Sequence, residues 1–458
     1  MSLIRFHSKS LGITVFSFLA CLPFYGLHAQ DKPAAIPANP LDQLSPTLRP
    51  LIQSAAANSW RMNLQDILVK RAEAFSLRSS AGKKPRVSFN ANLGYQLTNQ
   101  FGSDTEGINY RFNLSARQSL YSWGATEADH RFGLIEVKRV QHDRQLAFLA
   151  IYRDVVVRYI NLEIARQKII AQSIAGQIQQ ADVELRRAEV ERGEFPATQF
   201  ASIELSYDRA VLRLKQLDIS FRKAEDFFKE TIGVDESIPL SIENGLPAVP
   251  EDLHELENQV NHFIATLGDN SIKVLSKNAR LEQELERLKR YKVNQRPKVN
   301  GLVRHRRDTE DFSTGTITDR NITETFAGFE FNWNLYDGRT SGSHVLESLE
   351  SKRQLERELE VLKSDITDNL EFLLEDLQLQ KKQVAIAEIS FGWVVGQYVQ
   401  IEKDVNAGRL PQKDLETAKR DLESERTKQM EARGVFFKSL TDLYVTLEAP
   451  SIIAYLEE

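Results

Sequence analysis

The sequence predicts a mostly helical chain with four amphipathic membrane strands, built as one strand-pair and long-helix unit used twice. Three observations carry this. From Thr323 to Leu335, Thr325, Ala327, Phe329, Phe331 and Trp333 alternate with Glu324, Phe326, Gly328, Glu330 and Asn332, the two-residue period of a two-faced strand. Past Leu335-Tyr336-Asp337-Gly338 the period becomes helical. There is no proline from Arg339 to about Asn406, and Leu355, Leu359, Leu362, Ile366, Leu370, Leu373 and Leu377 step by three and four. A helix of that span is about 100 Å long at 1.5 Å per residue. The plan also recurs: Tyr121 and Tyr336 stand 215 positions apart, and so do Gly193 and Gly408.

The 458 residues suffice for a large core or for two or three domains, and a formal net charge of -5 gives no argument for nucleic acid. Residues 1–29 read as a secretory signal. Arg5 and Lys9 supply its positive start, and the apolar stretch from Leu11 to Pro23 is too short for a membrane span. Cleavage after Ala29 would leave Gln30 first and remove Cys21, the one cysteine. Cys21 also offers a loose lipoprotein box, with Phe18 where leucine is usual. No later stretch reaches 18 consecutive apolar residues, so no transmembrane helix is expected.

Residues 30–50 carry five prolines and form an extended arm. Residues 51–84 hold a helix that stops near Ala81-Gly82. In residues 85–121, Val87, Phe89, Ala91, Leu93 and Tyr95 form the apolar side of one strand, and Ile108, Tyr110, Phe112, Leu114 and Ala116 that of the next. Asn99 to Gly107 is the polar turn between them. Each run exceeds the 9–11 residues of a tilted membrane strand. Residues 122–232 form a long helical hairpin turning at Gly193-Glu194-Phe195-Pro196, with glycine past one helix and proline just inside the next. Residues 233–252 are irregular and residues 253–295 helical. Residues 296–336 repeat the strand pair, with Asp308 to Asn321 as a polar loop. Residues 337–447 repeat the hairpin, turning at Gly408-Arg409-Leu410-Pro411, and 448–458 are a tail.

This arrangement resembles the TolC-like outer-membrane efflux-protein family. The match covers about Leu51 to Leu447 and rests on the duplication, the Leu-Tyr…Gly joints and the two Gly-x-x-Pro turns. The resemblance implies an outer-membrane homotrimer, with four strands per chain in a 12-stranded barrel and a periplasmic α-helical tunnel. It implies a passive duct for efflux or type I secretion, opened by a periplasmic adaptor and an inner-membrane transporter at the turns Gly193, Pro196, Gly408 and Pro411. Physics independently asks for more than one chain, because a four-stranded sheet in outer-membrane lipid leaves unpaired edges.

Arg111, Arg117 and Glu330 fall on the polar strand faces and would line the lumen. Tyr121, Trp123, Trp333 and Tyr336 sit where strands meet helices. They fit either an interfacial aromatic girdle or packing at the joint. The family often has two acidic residues six and nine positions after the second turn glycine, a cation-attracting entrance ring. Asp414 matches the first and Thr417 replaces the second, so the ring would carry three charges; otherwise Asp414 is a helix-end carboxylate. Gly392 and Gly396 form a G-x-x-x-G, read as close helix packing. Scattered histidines and the lack of G-x-S-x-G, H-E-x-x-H or phosphate-binding loops argue against an enzyme, and no cofactor or metal is expected. The alternative is the periplasmic adaptor itself, which carries one hairpin and compact β domains.

Overall fold

The structure, a computed structural model, describes residues 48–100, 103–233, 246–250, 252–312 and 320–456. The expected signal, Cys21 and most of the arm at 30–50 lie outside the described residues; Leu48 to Pro50 are already helical.

Four strands, β1 (Arg86–Gln100), β2 (Ser103–Tyr121), β3 (Lys298–Phe312) and β4 (Arg320–Asn332), form one antiparallel sheet in the order β1-β2-β3-β4. Both strand pairs run further than their polarity suggests. The expected turn at Asn99 to Gly107 is largely strand, with Gln100 paired to Ser103. The expected loop at Asp308 to Asn321 begins as strand, β3 running to Phe312 with Gly107 opposite it. Backbone pairing sustains these ends where the side chains no longer alternate in polarity.

The helices are α1 (Leu48–Asn58), α2 (Trp60–Ser80), α3 (Ala125–Glu191), α4 (Ala197–Ile232), α5 (His254–Ala265), α6 (Leu267–Asn270), α7 (Ile272–Lys292), α8 (Thr340–Asn406), α9 (Gln412–Thr446) and α10 (Pro450–Ile453). Two expected continuous helices are broken. Ser59 divides α1 from α2, its hydroxyl accepting from Met62 N. The stretch from 253 breaks at Thr266 and Ser271, where Ser271 caps α7. Both serines compete with the helix by bonding the backbone locally.

The two joints share a design. Trp123 and Gly124 lie at positive φ in the first, Gly338 and Arg339 in the second. Ser122 Oγ accepts from Thr126 N (3.2 Å), and Asp337 Oδ2 accepts from Ser341 N (3.0 Å), each opening its long helix. The far ends are also alike. Gly193 and Gly408 have φ of 74° and 71°. Gly193 N donates to Val190 O and Glu194 N to Glu189 O; Gly408 N donates to Val405 O and Arg409 N to Asp404 O. These paired bonds satisfy the last helical carbonyls, and a left-handed residue is needed to make them. Pro196 and Pro411 stand one residue outside their helices, at the N-cap with extended ψ, rather than inside them.

The helices pack side by side in rows. In the half nearer the strands the row is α2–α3–α7–α8; in the half nearer the tips it is α4–α3–α9–α8. The main core lies between, where α1, α3, α4, α9 and α10 converge on Phe148, Tyr152, Phe228, Phe436 and Ile452. Gly434 lets α9 close on α3: a Cβ there would come within 2.5 Å of Ile164 Cδ1.

Candidate channel-forming surfaces

Register sorts the sheet into two faces. One carries Val87, Phe89, Ala91 and Leu93 on β1 beside Ala116, Leu114, Phe112 and Tyr110 on β2. Phe89 and Phe112 stack at 6.3 Å. On β3 and β4 this apolar band is shorter. Val299 pairs with Phe331 and Val303 with Ala327, but then His305 meets Thr325 and Arg307 meets Thr323. Arg307 lies directly across from Phe112. This face is therefore less uniformly apolar than the first hairpin alone suggests.

The opposite face is charged and internally paired. Arg111 Nε donates to Asp308 at 2.5 Å, Arg117 lies 2.9 Å from Glu330, and Arg304 lies 3.1 Å from Glu324. Arg111, Arg117 and Glu330 thus share one face with Asp308, Arg304 and Glu324. Such a face is costly against lipid and stable against water.

Three of the four joint aromatics, Tyr121, Trp123 and Trp333, make contacts at the joint. Trp123 Nε1 donates to Pro297 O (2.7 Å) and Trp333 Nε1 to Gln295 O (3.0 Å), pinning each indole to the backbone entering β3. Tyr121 and Trp123 meet edge to face at 5.0 Å, and Arg296 sits over Trp123 at 4.9 Å. The rings nevertheless remain exposed, Tyr336 by 77%.

The sheet's open edges were expected from the sequence; the open edges of the helical row were missed. Within the described residues β1 and β4 each pair on one side only. The helical row ends at α4 on one side and α8 on the other, and both end helices expose a second apolar stripe. On α4 it is Leu205, Leu212, Ile219 and Phe227; on α8 it is Phe372, Leu379, Ile386, Ile389 and Trp393. Leu212 is 59% and Trp393 68% exposed. Leu205, Leu212 and Ile219, like Phe372, Leu379, Ile386 and Trp393, are seven residues apart, the repeat that packs helix against helix. This signal was present in the sequence but masked by the stronger core stripe beside it. The same stripe makes α8 long and apolar enough to cross a membrane by composition, although almost none of that window is buried. Gly392 and Gly396 lie in this open region, and a Cβ on either would meet nothing within 4 Å. They do not serve close packing within the chain.

Asp414 lies in the first turn of α9, half-buried. With Thr417, Asp421 and Tyr398 it lines a small cavity of about 230 Å³ between α8 and α9. Thr417 Oγ1 is occupied locally, donating to Lys413 O. Among the described residues no His, Cys, Asp or Glu group is placed to hold a metal.

Residues 51–225 match the family model described as outer membrane efflux protein. Among curated proteins none matches. The CmeC outer membrane channel of Campylobacter jejuni shares the fold with a TM-score of 0.70 at 13% identity, covering 88% of this chain and 85% of that one. The outer membrane protein VceC of Vibrio cholerae gives 0.67 at 12%, covering 89% and 98%. The open state of the MtrE outer membrane channel of Neisseria gonorrhoeae gives 0.66 at 14%, covering 88% and 89%. The resemblance drawn from the joints and turns is borne out, and the mostly helical fold with one four-stranded sheet is the fold of these channels.

Proposed function

We propose that this chain is an outer-membrane efflux channel: a TolC-like trimer whose twelve strands close a barrel and whose helices continue it as a periplasmic tunnel. The observation that carries the reading is the matched pair of open edges. The sheet ends at β1 and β4 and the helical row at α4 and α8, so one head-to-tail contact between copies closes both layers. Closure removes edge amides and carbonyls that lipid cannot satisfy, each worth several kcal/mol. It also buries nine stripe side chains per contact, on the order of 15 kcal/mol before the cost of association.

Each part then has a role. The stretch at 1–29 directs export. The face bearing Arg111, Arg117 and Glu330 lines a wet lumen, its ion pairs screened by water. Tyr121, Trp123, Trp333 and Tyr336 anchor the inner membrane boundary while holding strands to helices. The turns at Gly193–Pro196 and Gly408–Pro411 form the periplasmic tips, the natural contact for an adaptor and its inner-membrane transporter. Asp414 places three carboxylates at the entrance. The chain does no chemistry; it is a passive duct. Two long hairpins, rather than one, separate it from an adaptor.

Mass measurement of the complex extracted from outer membranes tests the reading. A detergent-dependent trimer is expected. A monodisperse monomer without detergent would remove both barrel and duct.

A further inference from the structure

We propose that the groove between α2 and α7, floored by α3, is a binding site for an organic anion with an apolar ring. Two neighbouring cavities lie there, of about 400 and 770 Å³. Both reach Phe75, Arg78, Phe132 and Arg287, so they form one groove.

The charges along it do not cancel. Arg139 is consumed within the wall: Glu136 lies 2.7 Å and Asp143 2.6 Å away. Those two carboxylates are further satisfied by Gln283 and Ser276. Arg287 is bound to Glu284 at 2.8 Å. Arg71, Arg78 and Arg280 line the same space, are exposed, and form no ion pair among the described residues. The remaining acids of the groove, Asp129 and Glu286, are held by Arg290 at 3.0 Å and Lys289 at 2.6 Å. Arg280 acts on Glu136 through space without an ion-pair contact. Three guanidinium groups thus face a groove whose acids already have closer partners. Like charges held together favour an anion that bridges them.

The groove also offers an apolar floor. Phe75 and Phe132 meet edge to face at 6.0 Å. Arg78 lies over Phe75 at 5.0 Å and Arg287 over Phe132 at 5.4 Å. Stacking fixes a guanidinium plane while leaving in-plane N–H groups to donate. Gln65 lines the wider cavity, and its buried Oε1 has no hydrogen-bond partner. Buried polar atoms are normally satisfied, so this acceptor marks a place for a water at the groove wall, apart from the anion. Rings beside unpaired guanidinium groups select a ring-bearing sulfonate or carboxylate over a neutral ring or a bare inorganic anion.

The groove lies wholly within one chain, so the proposal stands or falls separately from the trimer. Calorimetric titration of the full chain in detergent with naphthalene-2-sulfonate tests it, with 2-naphthol as the uncharged ring. The sulfonate should bind saturably and at least tenfold more tightly than 2-naphthol. Replacing both Arg71→Gln and Arg280→Gln should weaken it roughly tenfold or more, the scale of losing charge-assisted hydrogen bonds. Arg353→Gln with Arg357→Gln, on the exposed face of α8, makes the same change in net charge and should leave affinity unaltered. Equal binding of the two probes would overturn the proposal. So would unchanged affinity in the groove variant, or equal loss in the α8 control.

Discussion

α3 and α8 are equivalent helices of the two repeats, each 67 residues long, yet they live in different surroundings. α3 buries sixteen residues, from Ala128 to Val183; α8 buries six. α3 is flanked on both sides throughout, by α2 and α7 and then by α4 and α9. Within the row α8 is flanked on one side, by α7 and then α9, with α5 touching it at Gln378, and it leaves Phe372, Leu379, Ile386 and Trp393 exposed. Duplication therefore made two copies of an element, and position in the row decided their composition. The internal helix carries its apolar residues where the chain itself covers them. The edge helix carries a second stripe for which one chain has no cover. The same contrast appears in the sheet, where β2 is paired on both sides and β4 on one.

The sharpest way to break this comparison is to charge the edge. Leu379→Glu with Ile386→Glu should abolish the trimer while leaving helical content intact, because buried unpaired carboxylates cost several kcal/mol each at every contact. Native mass spectrometry with circular dichroism reads both; a trimer that persists would mean that the stripe is simply solvated.

Next in size is the sheet. Phe112→Arg on the apolar face should cost roughly 2–4 kcal/mol near the bilayer centre and impair assembly, whereas Asn113→Arg on the polar face should assemble normally. Each variant faces an arginine directly across β3, Arg307 opposite Phe112 and Arg306 opposite Asn113, so cross-strand repulsion is common to both and the contrast comes from the face. Equal yields of folded barrel would invert the assignment of faces.

A smaller effect comes from Glu448, which turns the chain back after α9 at positive φ and caps α7. Its carboxylate accepts from Ile272 N, from Lys273 N at 3.2 Å and from Ser271 Oγ at 3.3 Å. Burial nevertheless raises its pKa above the ordinary carboxylate value, outweighing the hydrogen bonds that lower it. The folded state therefore holds this proton more tightly than the unfolded one. Its contribution to stability is full below the unfolded pKa and is lost as pH rises through the raised folded value. In Glu448→Gln this part of the decline should vanish from a denaturation series across pH 4–8. An identical pH profile in the variant would show that the group does not titrate there.

The smallest effect belongs to Asp414. Trivalent cations added on the periplasmic side should block single channels, and Asp414→Asn should relieve the block, more visibly at low salt than at 1 M, where the Debye length falls to about 3 Å. Block that is absent, or unaltered in the variant, would leave Asp414 a helix-end carboxylate.

What the sequence made legible was local. The phase of β1, β2 and β4 follows from alternating side chains, and the joints and tips follow from residues able to adopt left-handed conformations or to cap. Less local features stayed hidden. The order of helices in the row depends on contacts between residues hundreds apart, such as Arg153 with Asp442 and Gln167 with Glu423. Without that order, the stripe at Phe372 to Trp393 has no edge to belong to. The breaks at Ser59 and Ser271 were hidden because serine caps and serine-bearing helices look alike until a hydroxyl meets a backbone N–H. The Glu448 cap was invisible because its partners lie about 175 positions away. Placing Arg111, Arg117 and Glu330 on one face required only parity, but their pairing with Asp308 and with each other required the register.

The head-to-tail contact between α4 and α8 is the centre of the account, and cysteine cross-linking tests it most directly. Leu212 and Ile389 each lie nineteen residues from their own tip glycines, Gly193 and Gly408, on opposite ends of the row. With Leu212→Cys and Ile389→Cys in one chain, a short bis-maleimide should link copies into covalent dimers and closed trimers in the membrane. Either single variant should remain monomeric on a denaturing gel, which also controls for Cys21. Links confined to one chain, links formed by a single variant, or no links in the double variant would contradict the closed ring.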